Sequence, residues 1–295
     1  VNLAMKLYDI YGAATIDTVK KNPYVLVEDV DGVGFVTADK IAQSLGIDRD
    51  SPFRIRAGVM HTLKTSCEKE GNTYLPRKKL SDEARRLLYC DEKPVDDAIE
   101  ELRVERKVVV PFDDAVMGEM YYRTEKAAAV KIVRKVDEAG ESLAEVGEII
   151  DRFEAMHAIK LHDAQRSAVV NAIDHGVSVI TGGPGTGKTT IINCILFVLD
   201  MLGSTARLLA PTGRAAKRIT EGCGKEASTI HRALLALEQG EKFEENAIIV
   251  DEFSMVDIFL FRMLLDAIAT GSKLIIVGDA DQLPSVGSGN VLRDI

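Results

Sequence analysis

The sequence predicts a multidomain protein in which an α-helical N-terminal region precedes an α/β domain built on a parallel sheet. Two patterns carry that expectation. The first fifty residues read as short helices with glycine-rich turns, and from Met117 to about Ala155 apolar positions recur at three- and four-residue intervals, which is helical spacing. Beyond it the short apolar runs VSVIT, ARLLA, AIIVD and KLIIVG alternate with helix-like segments beginning near Lys188, Gly213, Ser228 and Met255. Continuous apolar strands separated by helices imply a parallel sheet covered on both faces.

Composition narrows the class. The chain has 295 residues, enough for two or three domains with real cores. Hydrophobic residues make up 46% and charged residues 28%, which is globular rather than disordered or fibrous. The longest apolar stretch, IINCILFVLDML from Ile191, is interrupted by Asn193 and Asp200. It falls short of the roughly 20 residues a membrane helix needs, so a buried helix and no membrane association are expected. Nothing at the N-terminus resembles an export leader. Cys67, Cys90, Cys194 and Cys223 lie far apart with no CxxC pair. That spacing argues against zinc, iron-sulfur clusters and a disulfide framework, and a cytoplasmic location is expected. The net charge of -9 argues against general coating of nucleic acid, although a basic groove can sit on an acidic body.

Residues 1–50 read as short helices. Within them DGVGFVTADKIAQSLGI reads as a helix-hairpin-helix, with Gly32, Val33 and Gly34 making the tight hairpin and Ala38 and Ile41 facing the core. Such a hairpin can point amides at a DNA phosphate without reading sequence. The bland alternative is an interhelical turn that touches nothing. Residues 51–115 read as helix, turn (EGNTYLPRKKL), helix, helix, and then the β-branched run KVVV, an order that resembles a winged helix. Arg77, Lys78 and Lys79 in that turn are either DNA contacts or a solvated basic cluster. Residues 116–156 read as a helical connector with breaks at Gly140 and Gly147, and 157–295 as the α/β domain.

The α/β domain carries the chemistry. Gly182, Gly187, Lys188 and Thr189 fit GxxxxGK[ST], with the strand before and the helix after that the pattern requires. Glycines let backbone amides close on a triphosphate, and the helix that follows adds its positive end. Gly183, Pro184, Gly185, Thr186, Gly187, Lys188, Thr189 and Thr190 are therefore the candidate nucleotide cradle. Lys188 would neutralise the β and γ phosphates of ATP, and the Thr189 hydroxyl would sit on Mg²⁺. Downstream, AIIVDEFSMVD ends an apolar strand in Asp251 and Glu252, at the carboxyl edge where ligands sit in open α/β sheets. Asp251 would hold Mg²⁺, and Glu252 would orient and deprotonate the attacking water. In LLAPTGRAAKRI, Thr212, Gly213, Arg214, Lys217 and Arg218 supply donors at a strand end and helix start, which suits a phosphate backbone.

Several motifs recur in order from Leu161 to Ile295: LHDAQRSAV, GGPGTGKTT, APTGRAAKRI, STIHRAL, VDEFSMVD and VGDADQLPSVGSG. They resemble the helicase motifs of superfamily 1, above all the RecD-like branch that includes the exodeoxyribonuclease V alpha subunit. The resemblance implies a first RecA-like motor domain over 157–295. It implies that Gln165 recognises adenine, and that Gln282 contacts the γ-phosphate and couples it to DNA. It also implies that Thr212, Gly213 and Arg214, with Thr229, His231 and their neighbours, touch single-stranded DNA or brace the site behind it.

The front half resembles the family form with an N-terminal extension, which acts without a nuclease complex. The implied activity is ATP-driven 5′ to 3′ translocation on single-stranded DNA, with a 5′-tailed DNA partner, in recombination or repair. Two alternatives stand beside it: a RecD-type subunit that needs nuclease partners, and a nonmotor P-loop switch that binds DNA. The chain stops at Ile295, just after an apolar strand-like run, and is expected to be a fragment that lacks the second motor domain and its arginines. As such it would bind nucleotide but turn it over little.

Overall fold

A computed structural model describes residues 2–138, 145–282, 285 and 287–295. The chain divides into two compact units, Val1–Tyr122 and Arg123–Ile295. The helical front half and the parallel-sheet P-loop domain expected from the sequence are both present.

The first unit opens with α1 (Asn2–Tyr11), α2 (Thr15–Lys21), α3 (Leu26–Asp29) and α4 (Phe35–Ser44). Phe35, Ala38 and Ala42 line the inner face of α4, one helical turn apart. The hairpin before it is closed by Val33 N–H donating to the Val30 carbonyl oxygen at 3.1 Å. Then follow α5 (Pro52–Glu70), β1 (Tyr74–Pro76), α6 (Arg77–Leu88), α7 (Glu92–Val104), β2 (Val108–Val109) and β3 (Ala115–Gly118). The three strands pair antiparallel in the order β1-β3-β2, with Leu75 opposite Val116 and Val108 opposite Gly118. Helix, strand, two helices and two strands is the winged-helix order. Ile55, Val59, Leu63 and Cys67 repeat every four residues along α5, and the core they begin takes in Leu80 and Ala84 of α6 and Val95 and Ile99 of α7.

The hairpin helices share that core. Arg54 Nε lies 2.8 Å from Asp39 Oδ1, and the same carboxylate accepts from the Tyr24 hydroxyl at 2.7 Å. Arg54 also donates to the Leu88 carbonyl oxygen at 3.0 Å. A buried guanidinium costs free energy unless paired and hydrogen-bonded, and here both conditions are met.

α8 (Glu119–Asp137) crosses from the first unit into the second. The second unit continues with α9 (Val146–His157), α10 (Asp163–Asp174), β4 (Val177–Thr181), α11 (Lys188–Met201), β5 (Ala206–Ala210) and α12 (Gly213–Cys223). It closes with β6 (Ala227–Thr229), α13 (Ile230–Leu235), β7 (Ala247–Val250), α14 (Ile258–Ala267), β8 (Lys273–Gly278) and α15 (Val291–Asp294). Five strands run parallel in the order β4-β8-β7-β5-β6. Every residue of β7 is buried, as is all of β8 after Lys273, so both faces of the central strands are covered. α11 lays Ile192, Ile195 and Val198 into that core.

Four local expectations are corrected. The turn EGNTYLPRKKL holds β1, and Arg77 begins α6; three residues are too few for an alternation pattern to register. Ser228 lies in β6, because Ser228 pairs with Leu209 and the Thr229 side chain caps α13 by accepting from Arg232 N–H at 3.2 Å. Met255 ends a single 3₁₀ turn, and the next helix waits for Asp257, whose carboxylate accepts from Leu260 N–H at 2.8 Å. Gly147 lies in the first turn of α9 and breaks nothing. Gly140 lies outside the described residues.

Candidate functional site

The sheet order brings the candidate residues to one edge. β8 lies between β4 and β7, so the segments after β4, β8 and β7 emerge side by side at the carboxyl ends. They carry, respectively, the glycine-rich loop, Gln282, and Asp251 with Glu252. The loop is tied to its neighbour by Gly182 N–H, which donates to the Gly278 carbonyl oxygen at 3.2 Å.

Within the loop, Gly185 and Gly187 take φ of 78° and 83°. At Gly187 the constraint is double, because a Cβ there would also lie 2.6 Å from Gln165 Nε2. Among the described residues, no acceptor stands against the main-chain N–H groups of Gly185, Gly187, Lys188 and Thr189. The last two are orphan donors of the α11 N-terminus, where the helix dipole is positive. Lys188 Nζ reaches back over the loop to the carbonyl oxygens of Gly182 at 2.5 Å and Gly183 at 3.0 Å. A cation and a set of free amides on one concave turn fit a polyphosphate.

Gln165 sits at the third position of α10 and uses both halves of its amide. Oε1 accepts from His162 N–H at 2.9 Å, completing a capping box, and Nε2 donates to the Thr186 carbonyl oxygen at 3.0 Å. The adenine-contact candidate is thus also a brace for the phosphate loop.

Asp251 extends the β7 ladder by donating its N–H to the Leu209 carbonyl oxygen at 3.0 Å. Burial raises its carboxyl pKa above the ordinary value; a hydrogen bond from the Glu252 backbone opposes the rise, as do the charges of Lys188 and Arg218, while the Glu252 carboxylate adds to it. A cation beside that carboxylate would relieve the burial cost, which fits a divalent metal held with Thr189. Glu252 turns out of the strand with φ of 52°, a left-handed conformation uncommon for a residue with a side chain. Its Oε1 accepts from Arg218 Nη1 at 3.2 Å. Gln282 is exposed, on a turn shaped by buried Asp279, whose carboxylate accepts from Asp281 N–H at 3.1 Å and whose carbonyl accepts from Gln282 N–H at 3.2 Å. Leu283, Pro284 and Val286 of that motif lie outside the described residues.

The candidate strand contacts adjoin this edge. Ala210 and Thr229 are register partners of β5 and β6, so Thr212 and Thr229 leave neighbouring strands. Both threonines cap helices, and Thr212 accepts from Ala215 N–H at 3.2 Å. Gly213, Arg214 and His231 are exposed at those helix starts. Gly32 and Gly34 are exposed on the hairpin of the first unit, where Val33 is buried. The basic run that opens α6 is committed elsewhere: Arg77 Nη1 lies 2.5 Å from Glu100 and Lys79 Nζ 2.6 Å from Glu70, leaving Lys78 exposed. Sequence reasoning missed Asp279 as the shaping residue of its turn. It also missed the tie between Arg218 and Glu252, for which no local signal exists.

Two family models match the chain: an ATP-dependent RecD2 DNA helicase HHH domain over residues 1–74 and an AAA domain over residues 165–288. The ATP-dependent RecD2 DNA helicase of Deinococcus radiodurans is 33% identical over 98% of this chain and 42% of its own length. The RecBCD enzyme subunit RecD of Mycobacterium tuberculosis is 40% identical over 45% of this chain and 28% of its own length. The chain therefore spans less than half the length of these relatives. A crystal structure of Bacteroides Pif1 bound to ssDNA aligns with TM-score 0.32 and 25% identity over 46% of this chain and 35% of that one, a likeness too slight to bear on the site.

Proposed function

Because the chain belongs to the RecD-like family of superfamily 1 helicases, we propose that the whole protein is an ATP-dependent DNA helicase whose N-terminal region and first motor domain are seen here. The observation that carries the proposal is the common sheet edge shared by the phosphate loop, Asp251 with Glu252, and Gln282. Residues 1–50, 51–115, 116–156 and 157–295 are the proposed hairpin, winged-helix-like, connector and motor segments.

Nucleotide supplies the phosphoanhydride, and Mg²⁺ the charge that neutralises its oxygens. Lys188 leaves the carbonyl oxygens of Gly182 and Gly183 for the phosphates, and the loop amides donate beside it. Asp251 and the Thr189 hydroxyl would hold the metal. Glu252 accepts the proton of the attacking water. Gln282, on the turn between those two groups, is the proposed link from phosphate to DNA. Thr212, Gly213, Arg214, Thr229 and His231 are proposed to follow one strand, and Gly32, Val33 and Gly34 to offer amides to a DNA phosphate. Single-stranded DNA with a 5′ tail, entered in the 5′ to 3′ direction, is the proposed substrate, and recombination or repair the proposed setting. The match of the hairpin domain over residues 1–74 favours the stand-alone form over a subunit of a nuclease complex. A reducing cytoplasm, in which its four free thiols persist, is the proposed compartment. Among the described residues no helix is long and apolar enough to cross a membrane.

The test is Lys188→Ala in the full-length protein. Unwinding of a 5′-tailed duplex should disappear while single-stranded DNA binding is retained. Unwinding that survives the substitution refutes the site.

A further inference from the structure

The contact between Arg218 and Glu252 joins the proposed DNA face to the proposed catalytic base. The two residues are 34 apart in sequence and meet at 3.2 Å, with Arg218 donating from Nη1 to Oε1. Their exposure is unequal: the Glu252 side chain is 18% exposed and that of Arg218 is 72% exposed. The carboxylate is held in the site by a backbone turn with φ of 52°, whereas the guanidinium reaches it from outside on a long stem. The cation is the mobile partner.

Arg218 also lies four residues after Arg214 on α12, hence on the same face one turn along, with exposed Lys217 beside it. The nearest carboxylate to Lys217 is that of Glu221 at 3.8 Å, a weak surface contact. This face begins at the capped start of α12, where Thr212 and Gly213 are proposed to meet a strand. A phosphate drawn to it and the Glu252 carboxylate would compete for one cation, because sharing would bring two anions together around a single positive charge.

We infer that Arg218 is a DNA-responsive latch on Glu252. Without DNA the arginine ties up, through Oε1, the carboxylate that would take the proton of the attacking water. A strand on α12 draws the guanidinium to its phosphate and frees the carboxylate, so hydrolysis waits for DNA. Arg218 is a positioning residue in this scheme. The inference rests on the helicase reading and deepens it by adding to the proposed Gln282 link an ion pair through which DNA acts on the catalytic base.

The test is a double-mutant cycle read by binding of a fluorescent oligothymidylate to nucleotide-free full-length protein. Glu252→Gln keeps the side-chain size and releases Arg218, so it should tighten single-stranded DNA binding about two- to fivefold, the range of an exposed ion pair. Arg218→Ala should weaken binding, and Glu252→Gln should then add nothing in that background. In parallel, Arg218→Ala should raise ATP hydrolysis without DNA and reduce the stimulation that DNA produces. Equal tightening by Glu252→Gln in both backgrounds would mean simple loss of negative charge and would overturn the latch, leaving the helicase reading intact. A DNA-free hydrolysis rate that Arg218→Ala leaves unchanged also overturns it. Failure of every variant and of the wild type to bind DNA removes the helicase reading and the latch with it.

Discussion

Gln165 Nε2 donates to the Thr186 carbonyl oxygen at 3.0 Å, so the helix that opens the motor domain is bonded directly to the phosphate loop. The other end of the same amide caps that helix through His162. A ligand that engages Gln165 would meet an amide already fixed at both ends, with one N–H and one oxygen lone pair left to offer, so the same side chain that holds the loop would present those groups.

Gln165→Glu separates the two roles. Glutamate at the third helical position still accepts from the His162 N–H, so thermal stability should be nearly unchanged. It cannot donate to Thr186, and it adds negative charge near the phosphates. Nucleotide affinity should fall about fivefold, within the worth of one hydrogen bond. Equilibrium titration with a fluorescent ATP analogue checks this, and unaltered affinity would leave Gln165 as a helix cap alone.

Gly176→Ala should destabilise the second unit without touching the site. A Cβ at Gly176 would lie 2.1 Å from the Lys135 carbonyl oxygen and 3.1 Å from that of Glu138, both backbone atoms at the end of α8. Such overpacking costs about 1–3 kcal/mol or more, so Tm should drop by several degrees. An unchanged melting curve would mean that α8 does not sit against this turn.

How much was legible in the sequence follows from how local each signal is. KLIIVG is read correctly because a buried parallel strand is a continuous apolar run, VSVIT because an edge strand of β-branched residues alternates buried Ser178 and Ile180 with exposed Val179, and Lys188 because its motif includes the strand and helix around it. β1 and β6 have three residues each and take their identity from partners: Leu75 from Val116, Ser228 from Leu209. Gly147 misleads because glycine marks a break only where the following turn cannot form, and near a helix N-terminus its amide is orphaned anyway. The Arg218–Glu252 pair, 34 residues apart, exists only once β5 and β7 are neighbours.

The same reasoning limits the basic run that opens α6. Arg77 and Lys79 are paired with Glu100 and Glu70. Arg77→Ala and Lys79→Ala should therefore leave the salt dependence of DNA binding as it is, whereas a phosphate contact would lower the log-log slope by about one per residue. The corresponding loss of stability should be small, because both pairs are partly solvated.

Glu154 sets an acid limit on the segment that leads to Gln165. Its buried carboxylate meets Lys160 Nζ at 2.7 Å, accepts from Leu161 N–H at 2.9 Å, and lies 3.0 Å from the Arg166 guanidinium. The Lys160 hydrogen bond first, then Leu161 and Arg166, hold its pKa down at about 2 against the opposing effect of burial. Because the folded value lies below the unfolded one, about 4.5, the contribution to stability is complete above that pH and is lost as pH falls toward 2. Glu154→Gln cannot make the charged bonds at any pH. Its Tm should therefore lie below that of the wild type at pH 7, and the two should converge as the solution is acidified through pH 4 toward 3. A gap that stays constant over that range would show that the Glu154 charge does not support this segment. Since Arg166 follows Gln165 directly, the substitution should also weaken nucleotide binding at neutral pH, and a repeat of the ATP-analogue titration separates that local effect from unfolding.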